Sequence, residues 1–213
     1  DLFIPIVGSN FDGHDFIDAA LQGGALGTVT DREISIAGDV VVIKVENTTR
    51  ALGEIAAYYR QKFRIPFVGI TGSVGKTSTK DMIASVLEQE FNVLKTEGNF
   101  NNEIGLPMTL FKLETNHEAA VIEMGMSNFG EISRLSLISR PDIAVITNIG
   151  MSHIEKLGSR QNILKAKMEI LEGLNKNGLV ILNGDDNLLY GLKGLLPFRT
   201  VFYGMEEGLD YQA

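Results

Sequence analysis

Cysteine is absent from this sequence of 213 residues. That absence excludes disulfide bonds, zinc sites built from thiolates and a catalytic thiol, and it is compatible with a reducing compartment. No uninterrupted apolar run approaches the roughly 18 residues that a membrane-spanning helix requires, and no segment has the pattern of a signal peptide. We therefore expect a cytoplasmic protein without membrane insertion.

Positive charge is also scarce. Lysine and arginine number 19 against 27 aspartate and glutamate residues, so the formal net charge is −8. This balance argues against nucleic acid or an anionic membrane surface as the main partner. Hydrophobic residues make up 44% of the chain and charged residues 22%, which is ordinary for a globular protein. The length suffices for one large domain or two small ones.

Both ends of the chain lie close to strand-like segments. The chain opens inside the apolar run of residues 2–7, without an initiator methionine, and closes shortly after another such run at 200–203. We therefore expect the sequence to be a piece of a longer protein.

The hydrophobic pattern alternates between short strands and helices. Continuous apolar strands separated by helices are typical of a mostly parallel sheet covered on both faces. The pattern predicts an α/β protein with a small α/β amino domain at 1–65. A mostly parallel P-loop-type sheet with helices on both faces, incomplete at its end, follows at 66–213. The predicted strands are 2–7, 27–30, 40–45, 67–70, 119–124, 143–148 and 179–182, and the predicted helices are 16–22, 48–63, 79–91, 130–139 and 159–174.

A glycine-rich turn connects the strand 67–70 to the helix 79–91. It consists of Gly72, Ser73, Val74, Gly75, Lys76, Thr77 and Ser78. Glycines let backbone N–H groups turn toward an anion, and the helix N-terminus adds its positive dipole end. Lys76 can then reach the β- and γ-phosphates of a nucleotide, and the Thr77 hydroxyl can ligate Mg²⁺. The general phosphate-loop spacing asks for glycine at position 70, where Ile70 stands.

The helix predicted at 79–91 carries apolar residues at the spacing of a buried helical face. These residues are Met82, Ile83, Val86, Leu87 and Phe91. The pattern predicts that this face packs on the sheet.

Polar side chains follow two further predicted strands. Glu123 lies at the end of the strand 119–124, and His153 comes shortly after the strand 143–148. Ligands of parallel sheets bind beyond the carboxyl ends of the strands, so both side chains are expected near Lys76. Together they could hold Mg²⁺ and polarise a phosphate, although Mg²⁺ prefers oxygen ligands. The simpler alternatives are a glutamate facing solvent and a hydrogen-bonded loop histidine.

Lys167 stands out on the predicted helix 159–174. It falls near the middle of the apolar stripe, whereas Lys165 falls on the opposite side. A lysine directed inward is costly as a cation, and burial lowers its pKa. A neutral amine can add carbon dioxide and become a carbamate that ligates metal. Alternatively, the side chain extends along the helix to water or pairs with an acid such as Glu123.

Residues 96–107 are polar and carry glycine, a composition that predicts no regular structure. Asn99, Asn101 and Asn102 offer paired donors and acceptors that suit a sugar phosphate or a peptide. A plain turn-rich connector is the alternative.

Together these motifs resemble the Mur ligases of peptidoglycan synthesis. The resemblance extends over nearly the whole chain, and the loop from Gly72 to Thr77 has the shortened form that this family uses. Within the family, the motifs are most similar to the type that adds D-alanyl-D-alanine. The other segments that carry the resemblance are 1–5, 12–17, 98–107, 123–125, 130–132, 158–159 and 166–169.

The resemblance implies a role for each candidate residue. Lys76 and Thr77 would bind ATP phosphates and Mg²⁺, and Glu123 would bind a first metal ion. His153 would bind a second ion, and Lys167 would be the carboxylated lysine that helps to place it. Val74 stands where the family often has asparagine or serine, at a position that contributes mainly backbone.

The implied reaction is ATP-dependent amide formation. The terminal carboxylate of UDP-N-acetylmuramoyl-tripeptide becomes an acyl phosphate, with Asn102 beside the phosphate and the reacting carboxyl group. The amine of D-Ala-D-Ala then displaces phosphate. Residues 1–65 would bind the UDP substrate and residues 66–213 would bind ATP, and a C-terminal domain missing from this sequence would complete the site.

Other function classes share part of this pattern. A sibling Mur ligase or a folylpolyglutamate synthase would have the same loop, Glu123 and Lys167. A P-loop NTPase that works as a conformational switch would need an aspartate after a strand and has no use for an inward lysine. A non-catalytic nucleotide-binding module is the remaining alternative.

Overall fold

The computed structural model describes residues 1–36 and 38–212, which form two compact units. The first unit comprises residues 1–55, and the second begins at Ala56. The division falls inside helix α2 (Thr48–Arg60). The functional boundary expected at residue 65 stays a prediction.

The first unit contains a small parallel sheet in the order β1-β2-β3. Strand β2 is buried along its length, whereas the edge strand β3 is exposed throughout. The predicted strand 2–7 is much shorter in the structure because it ends ahead of Pro5, which has no N–H to donate to a sheet. The elements are β1 (Leu2–Phe3), a 3-10 turn (Gly13–Phe16), α1 (Ile17–Gln22), β2 (Gly27–Thr30) and β3 (Val41–Lys44).

The second unit is built on a parallel sheet in the order β10-β9-β8-β7-β4-β6-β5. Its strands are β4 (Phe67–Thr71), β5 (Val93–Lys95), β6 (Ala119–Glu123), β7 (Ile143–Ile146), β8 (Leu179–Asn183), β9 (Arg199–Gly204) and β10 (Tyr211–Gln212). Its helices are α3 (Lys76–Leu87), α4 (Gly105–Leu110), α5 (Glu131–Ser139), α6 (Ile154–Leu157), α7 (Arg160–Met168) and α8 (Asn187–Tyr190). The predicted α/β class is confirmed.

Helices cover both faces of the central strands. Strands β4 and β6 are buried along their whole length, as expected for parallel strands between two helical layers. On one face, Ala84 of α3 packs in a cluster with Val68, Ile70, Val121 and Val145. On the other face, α5 and α7 contribute Ile132, Leu135, Ile163 and Ala166 to the larger core.

Helix α3 differs from its prediction in extent and in orientation. It runs from Lys76 to Leu87 and buries Lys80 and Ala84, whereas Met82 is 71% exposed and Val86 is 72% exposed. The prediction is therefore wrong for Met82 and Val86, whereas Ile83 and Leu87 pack against the cluster on the sheet as predicted. A hydrogen bond from Thr77 to β6 turns the stripe of Thr77, Lys80 and Ala84 toward the sheet.

Regular structure also appears where none was predicted. Helix α4 begins at Gly105, inside the segment 96–107, and Pro107 is tolerated because it lies in the first helical turn. The long helix predicted at 159–174 divides into α7 and a 3-10 segment (Glu169–Glu172). Within residues 1–36 and 38–212, no helix has the length and apolar character needed to cross a bilayer.

Candidate active site at the carboxyl ends of the central strands

The candidate residues meet at one edge of the sheet. Strand β4 lies between β6 and β7, and all three run parallel, so their carboxyl ends are adjacent. The glycine-rich loop follows β4, Glu123 ends β6, and the segment leading to His153 follows β7. Sequence reasoning predicted this convergence from the rule that ligands bind beyond the carboxyl ends of parallel strands.

Two glycines shape the loop for different reasons. Gly75 has a φ of 77° and precedes α3, a conformation that L side chains rarely adopt. At Gly72 a Cβ atom would lie 1.9 Å from the Thr147 hydroxyl oxygen, so only glycine fits there. Ile70 is fully buried inside β4, which continues to Thr71. The loop therefore starts only at Gly72, and this explains its shortened spacing.

The start of α3 presents unpaired backbone donors. In the part of the chain that the structure describes, the amides of Gly75, Lys76, Thr77 and Ser78 donate to no protein acceptor, and Thr79 makes the first bond, to the Gly75 carbonyl. Consecutive free N–H groups at the N-terminus of a helix attract an anion. The Lys76 ammonium donates to the Gly72 carbonyl at 3.1 Å and so lies over the same loop.

Glu123 is 2% exposed, and three neighbours hold it. Its Oε2 accepts a hydrogen bond from the Thr77 hydroxyl at 2.9 Å, and its Oε1 accepts from the Asn101 amide at 2.8 Å. Its backbone N–H donates to the Thr96 hydroxyl at 3.0 Å. The structure therefore brings Thr77 and Glu123 together.

Asn101 and Asn102 have different partners. Asn101 reaches Glu123, whereas the Oδ1 atom of the candidate Asn102 accepts from the backbone amides of Ile104 and Gly105 at 3.1 and 2.8 Å. Asn102 thus caps the start of α4. Sequence reasoning named Asn101 only among the three asparagines of this segment and gave the site role to Asn102, because nothing in the pattern distinguishes which of two adjacent asparagines faces the strand.

His153 lies in a left-handed conformation, with a φ of 64°, just before α6. Desolvation of its ring lowers its pKa, and the charges of Lys167, Lys76 and Lys156 lower it further. A neutral imidazole is therefore favoured.

Lys167 is 2% exposed, as its place on the apolar stripe predicted. Burial, followed by the charge of Lys76, lowers its pKa to about 7. The described residues provide no hydrogen bond or ion pair to its ammonium, so the predicted alternative of pairing with Glu123 has no support.

Within the described ranges, no group of three or more histidine and acidic side chains is arranged to hold a metal ion. A divalent cation would therefore need the Thr77 hydroxyl, the Glu123 carboxylate and oxygens from its ligand. Hydroxyl and carboxylate oxygens are donors that Mg²⁺ accepts, so these residues fit that ion. The metal roles of Glu123, His153 and Lys167 stay predictions.

Comparison with known proteins identifies the family. The model of the Mur ligase middle domain matches residues 70–213, and the model of the Mur ligase catalytic domain matches residues 1–60. The UDP-N-acetylmuramoyl-tripeptide–D-alanyl-D-alanine ligase of Bacillus subtilis is 46% identical over 212 residues, covering 99% of this chain and 46% of that protein.

Solved structures give the same result. MurF from Acinetobacter baumannii has a TM-score of 0.91 at 33% identity, over 99% of this chain and 46% of that one. MurF from Thermotoga maritima in complex with ADP has a TM-score of 0.90 at 37% identity, over 99% and 48%. The chain spans about half the length of the relatives that it matches. The chain belongs to the Mur ligase family.

Proposed function

We propose that the full-length protein is the ATP-dependent ligase that joins D-Ala-D-Ala to UDP-N-acetylmuramoyl-tripeptide. One observation carries the reaction class: free amides at Gly75–Ser78, Lys76 and the Thr77–Glu123 pair meet at one sheet edge. The name of the Bacillus subtilis relative supports the choice of substrates. The reaction would take place in the cytoplasm and supply cell-wall synthesis during growth and division.

The phosphate-binding part of the mechanism rests on the loop. The amides of Gly75–Ser78 and the Lys76 ammonium would hold the β- and γ-phosphates of ATP, and the contribution of Gly72, Ser73 and Val74 would be mainly backbone shape. Thr77 and Glu123 would hold Mg²⁺, which when bound neutralises charge on the phosphates. Together these groups would position the γ-phosphate for attack by the carboxylate.

The chemical steps need little covalent participation by the protein. A carboxylate oxygen of the tripeptide attacks the γ-phosphorus, and the bond to ADP breaks, which leaves an acyl phosphate. The neutral amine of D-Ala-D-Ala attacks the acyl carbon, phosphate departs, and the amide nitrogen loses a proton. Asn102, through its cap on α4, would hold the neighbouring loop beside the reacting carboxyl group.

Lys167 and His153 complete the proposed site. A neutral Lys167 amine can add carbon dioxide, forming a carbamate and releasing a proton, and the resulting anion suits a second Mg²⁺ beside His153. The pKa of about 7 at Lys167 and the lowered pKa of His153 both favour the neutral forms that this requires. Residues 1–65 would bind the UDP part of the substrate.

The test is an assay of the full-length enzyme with ATP, D-Ala-D-Ala and the tripeptide substrate in both its diaminopimelate and its lysine forms. Mass spectrometry should detect the pentapeptide product, and ADP should appear only when all substrates are present. Amide formation with a single amino acid or a folate instead would indicate a sibling ligase. Equal ATP hydrolysis without an acceptor would indicate a switch NTPase, and both outcomes contradict the proposal.

A further inference from the structure

Asn148 binds the backbone N–H and the backbone carbonyl of one residue, Val74, in the nucleotide loop. It follows strand β7, and its Oδ1 accepts from the Val74 N–H at 3.1 Å while its Nδ2 donates to the Val74 carbonyl at 3.0 Å. Its own backbone carbonyl accepts from the Ser73 N–H at 3.1 Å. Through these three bonds, Asn148 fixes Ser73 and Val74 in the loop.

Neighbours of Asn148 strengthen this attachment. The Thr147 hydroxyl donates to the Val74 carbonyl at 2.7 Å, and the Gly150 amide donates to the Ser73 hydroxyl oxygen at 2.9 Å. The Ser152 hydroxyl donates to the Ser73 carbonyl at 3.3 Å. The segment that leads to His153 is therefore bonded to the loop at Thr147, Asn148, Gly150 and Ser152.

These bonds divide the loop amides into two sets. Ser73 and Val74 donate to Asn148, whereas Gly75–Ser78 remain free for an anion. The Val74 side chain is 61% exposed, so packing of that side chain does not hold the loop. The bonds from the end of β7 hold it.

We propose that Asn148 is a positioning residue of the nucleotide site, which fixes the shortened loop before the nucleotide arrives. A loop ordered in advance loses less conformational freedom on binding, and this raises affinity. Asn148 does this without donating to the phosphates, since its side chain is paired with Val74. The inference rests on the proposed function only for the identity of ATP as the ligand.

The experiment uses the full-length protein with Asn148→Ala. We expect ADP affinity, measured by calorimetry, to fall at least about tenfold, because a loop that is no longer ordered in advance loses more conformational freedom when ADP binds. Without nucleotide, the amides of the loop 72–76 should exchange hydrogen faster than in the wild type. The KM for ATP should rise, whereas the KM for D-Ala-D-Ala should stay within about twofold because the loop is proposed to hold the nucleotide and not the acceptor.

Asn175→Ala is the matched control. Asn175 lies at the other end of β7, where its side chain donates to Asp142, so its loss removes a comparable bond away from the loop. ADP affinity and loop exchange should match the wild type. If Asn148→Ala does not fold, Thr147→Val provides the second test, because it removes the hydroxyl that donates to Val74 and accepts from the Asn148 amide but keeps the bonds of Asn148 to Val74, and it should produce a smaller change in the same direction.

Wild-type ADP affinity in a folded Asn148→Ala protein would overturn the inference. So would weaker binding with unchanged loop exchange, since Asn148 would then act on the nucleotide directly. If the wild-type enzyme makes no pentapeptide but Asn148→Ala still frees the loop and weakens ADP binding, the proposed function fails and the inference stands.

Discussion

Two effects disfavour a positive charge on Lys167. Its side chain is buried, as are those of Ile163 on α7 and Ile170 in the 3-10 segment, so a charge there is poorly solvated, and the charge of Lys76 disfavours a second cation nearby. Lys165, two residues earlier, is exposed and carries no such cost. Both effects therefore favour the neutral amine of Lys167 over its charged form.

The low pKa of Lys167 predicts a pH-dependent stability. In the unfolded chain this lysine loses its proton near 10.5, and in the folded protein near 7, so the unfolded state binds more protons between these values. Stability of the wild type relative to Lys167→Met should therefore rise with pH from about 7 to about 10. The slope should reach at most about 1.4 kcal/mol per pH unit.

Urea unfolding in buffer free of carbon dioxide and divalent metal measures this difference. Lys165→Met serves as the control, and its difference from the wild type should not depend on pH. A pH-independent difference for Lys167→Met would contradict a neutral amine.

Lys76 should be essential for turnover. Lys76→Ala removes the cation that bonds to the Gly72 carbonyl beside the free amides of the loop, where charge would develop on the phosphoryl group in the proposed reaction. We expect turnover of the full-length enzyme to fall by at least about 10²-fold, the usual loss for a preorganised charge. Lys112→Ala, which removes an exposed lysine paired with Glu97, should remain near wild type. Near-normal ligase activity in Lys76→Ala would exclude the phosphate role.

At the scale of elements, Glu169 of the 3-10 segment (Glu169–Glu172) caps helix α5. Helix α5 has no side-chain cap of its own at Gly130, and the Glu169 carboxylate accepts from the Gly130 amide at 2.8 Å and from the Ser133 amide at 3.2 Å. The carboxylate also lies at the positive end of the helix dipole. The contact joins α5 to the segment that continues α7, and it thereby holds the helix that carries Lys167.

Glu169→Ala should lower the free energy of unfolding by about 1–2 kcal/mol, the range of a lost helix cap with a charge at the dipole. Denaturant unfolding measures the change. Glu172→Ala is the control, because Glu172 is exposed and bonds only to the Ser133 hydroxyl; its effect should stay within about 0.5 kcal/mol. Equal effects of the two substitutions would show that Glu169 does not act as a cap.

At the scale of the whole molecule, the chain spans about half the length of its relatives. Phosphoryl transfer and amide formation depend on placing three substrates within bonding distance, and this accounts for much of the rate. In the proposed reaction, the described residues would contribute the glycine-rich loop and the Glu123 carboxylate to that arrangement.

A polypeptide limited to residues 1–213 should therefore form no pentapeptide product. The full-length enzyme under the same conditions is the control, and mass spectrometry is the measurement. Product from residues 1–213 alone would mean that this half contains a complete active site.

Some of the site could be predicted from local pattern alone. The order of strand, glycine loop and helix places Lys76 and Thr77 at a strand end, and a parallel sheet brings Glu123 to the same edge. Lys167 was recognisable because a charged residue interrupts an apolar stripe of fixed period. These inferences succeeded because the periodicity of a helix or a strand can be seen in residues close together in the sequence. The strand–helix–strand order, which makes neighbouring strands parallel, can be read there as well.

Tertiary structure decided which polar groups far apart in the chain form hydrogen bonds with each other. Lys80 is buried like Lys167, but its ammonium donates to the Thr96 carbonyl at 2.7 Å, and no local pattern distinguishes the two lysines. Packing also decides that Asn101, and not Asn102, bonds to Glu123. It likewise brings Asn148 to Val74, which is 74 positions away in the chain. The sequence alone determined the fold class and the edge of the sheet where the site lies. Which polar atoms pair there was decided by how the strands and loops pack, because hydrogen bonds depend on distances that residue order does not specify.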